Sequence, residues 1–389
     1  MKKTNYNIIV FVAAAILIGG AWCSVEIPSG IKNAIVDFIK NPNLNTFIED
    51  IDTASNNISY KGLLVDTYSL TYRLTGTRVV EKPDSTVVRM NNDYLSFKPT
   101  MRSDEDLISY ADQCAVLKEA TDNLGIPFVY ALTPTKEQYG VYPDGVLNCE
   151  PINMKKWVSL LTEREIDVFH IGTEMQNQNI PLEQAFFVTD HHWKPETAFW
   201  ACGELCKYLE RSTNFSYDES VFEIQNYEIE TYQDCFLGSQ GKKTGQYFTP
   251  LGLDDFSVFT PKYETNLTVT DDRGVASGNM NHTLITPPND IGKNLHFNNI
   301  YTTYSGSDYG LQVVENHLAE STAPKILVIR DSFGCPFTPF LAPVSSSLHL
   351  IDARNWTRSE SIIEYITAEK PDYVVILYSE ITGDKFTFS

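Results

Sequence analysis

Two short polar stretches hold residue types that can activate a hydroxyl. Asp190-His191-His192-Trp193 places a carboxylate two positions before an imidazole. In an extended segment, side chains two apart share a face, so Asp190 can hold one nitrogen of His192. Such a partner fixes the tautomer and stabilises the imidazolium formed when the other nitrogen takes a proton. Asp331-Ser332-Phe333 supplies the hydroxyl. A serine hydroxyl is a weak nucleophile until a base removes its proton, and that base need only be near in space. Ser332 is expected where a buried strand ends and a helix begins, and the free N–H groups of a helix start suit a developing oxyanion. Each stretch also has a plainer reading. Asp-x-His occurs as a turn hydrogen bond, and Asp and Ser are preferred helix caps. Asp190, His191 and His192 are also metal-ligand types. Adjacent histidines in a strand face opposite ways, however, so the sequence predicts no metal and no cofactor.

The elements that must position these residues alternate from about residue 104 onward. Asp104 to Leu124 has helical apolar spacing through Leu107, Cys114 and Leu117, with Gly125 as a stop. Ile126 to Leu132 and Ile166 to Ile171 are short apolar runs that suit buried parallel strands. Phe186 to Thr189 reads as a brief extended piece. Pro195 fits the first turn of a helix reaching about Leu209, with Cys202 and Cys206 on its apolar face. The texture then changes. From 212 to about 296 it is rich in Thr, Tyr, Asp and Asn, with alternating pieces at Tyr227–Glu230 and Leu267–Thr270, and reads as a β-rich insertion. Strands return at Ile326–Ile329, Leu348–Ile351 and Tyr373–Tyr378, with a helix from Ser361 to Thr367. The alternation predicts an α/β fold, a parallel sheet with helices on both faces. Such sheets bind ligands beyond the carboxyl ends of their strands. Polar clusters follow the apolar runs at Thr133–Lys136, Asp190–His192, Asp331-Ser332, Asp352–Arg354 and Ser379-Glu380.

Composition narrows the partners. The chain has 389 residues, 30 Lys plus Arg against 50 Asp plus Glu, and a net charge of −20. That balance excludes nucleic acid, whose phosphates need clustered cations. No Walker loop, G-x-G-x-x-G, H-E-x-x-H, C-x-x-C or G-x-S-x-G occurs, which removes nucleotide enzymes, zincins and standard α/β-hydrolases. The seven cysteines are too sparse for a disulfide framework in a chain this long. The 21 Tyr, 21 Phe and 5 Trp suit sugar faces as well as core packing, so a noncatalytic glycan-binding or assembly protein is the alternative to an enzyme. Lys2 and Lys3 precede an apolar stretch from Ile8 to Cys23 without an A-x-A cleavage site. We read residues 1–24 as an uncleaved signal anchor, with the bulk of the chain outside the membrane; a secreted form is the alternative. Residues 25–60 read as a stalk, and 61–389 as the globular part carrying the insertion.

The paired motifs resemble those of the DHHW family of bacterial surface proteins. Thr189-Asp190-His191-His192-Trp193-Lys194 is followed later by Ile329-Arg330-Asp331-Ser332-Phe333. They also resemble the SGNH-hydrolase-like alginate O-acetylation proteins, which carry D-x-H-W well before their serine. Thr133-Pro134-Thr135-Lys136 with Val141-Tyr142-Pro143, and Ile351-Asp352-Ala353-Arg354, are further similar pieces. The resemblance implies an SGNH-hydrolase-like (flavodoxin-like) α/β fold. It also implies acetyl transfer on a surface glycan, beside a membrane-bound O-acyltransferase partner. Carried over, Ser332 is the nucleophile, His192 the general base and Asp190 its orienting partner, while Arg354 and Lys136 go to the oxyanion site or substrate. This chain departs from the G-D-S block of SGNH hydrolases by Arg330 in place of Gly, and no G-x-N-D block is visible.

Overall fold

The computed structural model describes residues 61–379, Phe388 and a few isolated positions between 33 and 46. The apolar stretch read as an anchor, nearly all of the stalk, and Glu380 lie outside the described residues. Among the described residues no helix is long and apolar enough to cross a membrane. Residues 69–389 make one compact unit.

Its centre is an eight-stranded sheet. In chain order the strands of the unit are β1 (Val79–Lys82), β2 (Ser85–Arg89), β3 (Leu95–Phe97), β4 (Phe128–Leu132), β5 (Asp167–His170), β6 (Tyr227–Phe236), β7 (Asp254–Pro261), β8 (Leu267–Asp271), β9 (Gly274–Gly278), β10 (Leu311–Asn316), β11 (Lys325–Arg330), β12 (Ser347–Ile351) and β13 (Tyr373–Tyr378). The main sheet runs β5-β4-β13-β11-β12-β10-β8-β9. Its first five strands are parallel, as the short apolar runs predict. The remaining three are antiparallel. β8 and β9 come from the segment read as an insertion, which therefore completes the main sheet instead of standing beside it. β6 and β7 form a separate antiparallel ribbon, and β1–β3 a small antiparallel sheet.

Strand periodicity divides the core. In β11, Ile326 and Val328 join one apolar cluster and Leu327 and Ile329 the other; β13 splits likewise, Val375 and Leu377 against Val374, Ile376 and Tyr378. Both faces are thus covered, and each buried Val, Leu or Ile contributes roughly 1.5–3 kcal/mol, which makes continuous apolar strands the stable choice. Helix α1 (Asp104–Leu124) covers one face with α2 (Glu150–Glu163) and α4 (Ile362–Glu369); α3 (Pro195–Ser212) covers the other. α1 starts where the Ser103 hydroxyl accepts from the Asp106 N–H, with three acids in its first turn facing the positive helix end. It stops at Gly125, whose φ of 70° is left-handed. Cys202 and Cys206 are buried on α3 as expected, and all six described cysteines are free.

Candidate active site

The serine stands at the carboxyl end of central strand β11. Asp331 leaves the strand and caps a single 3-10 turn, Ser332–Gly334. Its Oδ1 accepts from the Phe333 N–H at 2.9 Å, and its Oδ2 from the Ser379 N–H and hydroxyl at 2.9 and 2.8 Å. Burial raises the Asp331 pKa against the pull of the Ser379 donors. Behind the turn, Arg330 is fully buried, pairs with Asp308 and donates to the Ser307 carbonyl at 2.8 Å. A Cβ at Gly334 would meet its Cδ at 2.6 Å. The arginine that replaces the glycine of SGNH hydrolases therefore packs under the turn and fixes it.

The imidazole arrives on a tight hairpin. Phe186 bridges Trp193, and the Phe187 N–H donates to the His192 carbonyl at 3.3 Å. Residues 188–192 bend, so the alternation argument fails here: the two groups meet through a bend, not an extended face. Asp190 Oδ1 accepts from the His192 backbone N–H at 3.0 Å and lies 2.5 Å from His192 Nδ1. The neighbouring histidines do not diverge either. Their ring centroids are 3.7 Å apart, and His191 Nδ1 lies 2.7 Å from the Ser239 hydroxyl.

The two stretches meet. His192 Nε2 lies 2.7 Å from Ser332 Oγ, across 140 positions of chain. Trp193 joins them a second time, its Nε1 donating to the Phe333 carbonyl at 2.9 Å. Tyr301 stacks on the imidazole with centroids 4.0 Å apart and planes 17° from parallel. Burial would raise the Asp190 pKa; the His192 and His191 imidazoles and the Ser239 N–H outweigh it and hold the carboxyl well below its ordinary value. The group is buried, yet Ser332 remains partly accessible. A hydroxyl, an imidazole and a carboxylate thus form one hydrogen-bonded chain, the arrangement that makes a nucleophile of a serine.

The fold is similar to that of a DHHW family protein. The one from Eubacterium siraeum aligns at 18% identity and TM-score 0.58, over 79% of this chain and 94% of that one. Bacillus cereus PatB1 is similar too: TM-score 0.64 and 20% identity over 78% of this chain and 99% of that chain, with near-identical figures for its form carrying a sulfonyl adduct. No protein-family model matches the chain, and no curated protein does.

One sequence assignment is corrected, and a second residue has fixed partners of its own. Lys136 does not face substrate. It is fully buried, and its ammonium donates to the carbonyls of Phe187, Val188 and Asp190 and to Gln240 Oε1, at 2.5–3.3 Å. It holds the hairpin that carries His192, and burial pulls its pKa down to about 8. Arg354 is clamped by Asp352 and pairs with Asp308 at 3.3 Å; none of its hydrogen bonds reaches Ser332 or His192. The oxyanion expectation also narrows. The Phe333 and Gly334 N–H groups are taken by Asp331, while the Ser332 N–H has no partner among the described residues.

Sequence reasoning missed the residues that brace Asp190 from far along the chain. Ser239 donates its N–H to Asp190 Oδ2 at 2.5 Å. Asp254 accepts from the Val188 N–H and from the Thr189 N–H and hydroxyl at 2.5–2.8 Å. Gly238 lies so close that a Cβ there would sit 2.1 Å from Asp190 Cβ and 2.4 Å from its Cα. Only the glycine in G-S-Q-G hinted at such an approach. The ligand atoms of Asp190, His191 and His192 lie within 4.8 Å of one another. Metal binding there would compete with the bonds to Ser239 and Ser332.

Proposed function

We propose that this chain is an extracytoplasmic serine-dependent O-acetyltransferase or acetylesterase acting on a cell-surface or secreted polysaccharide. The observation that carries the reading is the continuous chain Asp190–His192–Ser332, with contacts of 2.5 and 2.7 Å. His192 Nε2 takes the Ser332 proton as Oγ attacks the acetyl carbonyl. Asp190 keeps Nδ1 oriented and stabilises the imidazolium. The same imidazolium protonates the leaving oxygen, which leaves acetyl-Ser332. His192 then takes a proton from the second nucleophile, a glycan hydroxyl in transfer or water in hydrolysis, as that oxygen attacks the acetyl carbonyl; the bond to Ser332 Oγ breaks and the imidazolium returns its proton to Oγ. The Ser332 N–H faces the charge that develops on the carbonyl oxygen.

Glycan as acceptor, a membrane-bound acyltransferase as partner, and attachment through residues 1–24 follow from the resemblance to alginate O-acetylation and surface proteins, and belong to the same proposal. The sulfonyl adduct of PatB1 suggests sulfonyl fluorides as a second probe. The test is intact-mass analysis after incubation with p-nitrophenyl acetate. Wild type should gain the mass of one acetyl group and Ser332→Ala none, with turnover falling by about 10⁴-fold or more. A Ser332→Ala chain that turns the ester over like wild type would end the proposal. Saturable glycan binding without any acylation would favour the noncatalytic reading.

A further inference from the structure

Three rings crowd the imidazole of His192, and they do not meet it alike. Phe333 is tilted by 53° with its centroid 5.0 Å away, and His191 by 37° at 3.7 Å. Of the three, Tyr301 lies flat on it, with centroids 4.0 Å apart and planes 17° from parallel. Among the described residues the other near-parallel pairs, Phe187–Phe256 and Trp193–Phe337, stand 6.0 Å apart. Tyr301 comes from the short turn Ile300–Thr303 and also packs T-shaped against Phe187 of the hairpin, at 6.4 Å.

The hydroxyl is not what holds this ring. Tyr301 is 3% exposed, and its oxygen has no hydrogen-bond partner among the described residues. Burial, reinforced by Cys335, Asp190, Asp331 and Asp308, raises the phenol pKa, so the ring carries no charge of its own at neutral pH. What it offers the imidazole is a face. The bonds from His192 to Asp190 and Ser332 run through its ring nitrogens and act along the ring plane. They resist movement out of that plane poorly, and a ring 4.0 Å away blocks it on one side. The face of an aromatic ring is also negative. A neutral imidazole gains little from that, and an imidazolium gains more. Positive charge reaches His192 only as Ser332 gives up its proton. The contact is therefore stronger in the transition state than before it, which is the condition for lowering a barrier.

We infer that Tyr301 is a positioning residue for the base: its ring face holds the His192 imidazole in plane and stabilises the imidazolium, and its hydroxyl takes no part. The inference rests on the acetyl-transfer reading, in which His192 is the base, and it adds a fourth residue to the three that reading uses.

The test compares the full chain with Tyr301→Phe, which keeps the face, and Tyr301→Leu, which fills much of the space without it. Each is mixed with p-nitrophenyl acetate at a series of pH values, quenched at timed intervals and weighed intact. Tyr301→Phe, the conservative change, should retain most of the acetylation rate and unfold at equal or higher denaturant, since it removes an unpaired buried hydroxyl. Tyr301→Leu should acetylate about tenfold more slowly at saturating ester. The acid limb of its rate should also move about half a unit or more to lower pH, because an imidazolium without the face gives up its proton more readily. Asp190 and His191, the other titratable groups against the ring, are the same in all three proteins. Lost packing alone would slow the leucine variant without moving the limb. A leucine variant with the wild-type rate, one slowed with an unmoved limb, or a phenylalanine variant as slow as leucine would each overturn the role of Tyr301. Wild type that gains no acetyl group would end the reading of the site and this role with it. Wild type that gains one while both variants match it would end this role alone.

Discussion

The serine turn and the histidine hairpin lie 2.7 Å apart, yet they are fixed by different means. The turn is the continuation of β11, a central strand paired on both sides. Its cap residue, Asp331, is held partly by backbone, the Ser379 N–H and the Phe333 N–H. The hairpin has one bridge of its own, and its conformation depends on Lys136, Gly238, Ser239 and Asp254. Three of those four belong to the segment from 212 to 296. A stretch that looks like an addition to the sheet supplies the support of Asp190. Regular structure positions the nucleophile; residues dispersed along the chain, through backbone and side chain alike, position the base.

The largest effect on this contrast should come from Gly238→Ala. The new Cβ meets Asp190 backbone and side chain together, so the carboxylate must move. A displacement near 1 Å costs on the order of 10²-fold in rate, measurable as the rate of Ser332 acetylation. Next is Lys136→Met, which strands three backbone carbonyls and Gln240 in the interior. Loss of about 3 kcal/mol is expected in denaturant unfolding, because buried acceptors without partners are costly. The matched deletion on the other side, Ser379→Ala, leaves the Ser379 N–H on Asp331 and should cost only about 1 kcal/mol. Equal losses from the two would erase the distinction.

The smallest effect is one of pH. The Asp190 pKa is lowered in the folded chain, so the unfolded chain binds its proton more readily. Stability carried by that charge is complete above the unfolded value of about 3.9 and declines as pH falls below it. The stability gap between wild type and Asp190→Asn should therefore narrow from pH 6 to pH 3. A constant gap would mean that the carboxylate contributes packing alone.

What was legible in the sequence follows from range. β11, β13 and the helix from Asp104 to Leu124 are written in local periodicity and caps, so composition along a few turns suffices. Asp190, His192 and Ser332 were legible as residue types at strand ends, although the bend at 188–192 was not, because it is imposed from outside. Ser239 reaches Asp190 across 49 positions, and Asp254 reaches Thr189 across 65. No local pattern encodes such partners. Lys136 misled for a related reason: a lysine beyond a strand end suggests a substrate contact, while here the hairpin carbonyls fold over it and bury its charge.

The indole of Trp193 carries a last consequence. Its N–H is bonded to the carbonyl beside Ser332, and its ring is sealed inside, parallel to Phe337 at 6.0 Å. Spacing between hydroxyl and imidazole is thereby set by a rigid strut, independent of the long stretch of polypeptide between them. A displacement of the hairpin would therefore pull on the serine turn through this bond, which works to keep hydroxyl and imidazole at their distance.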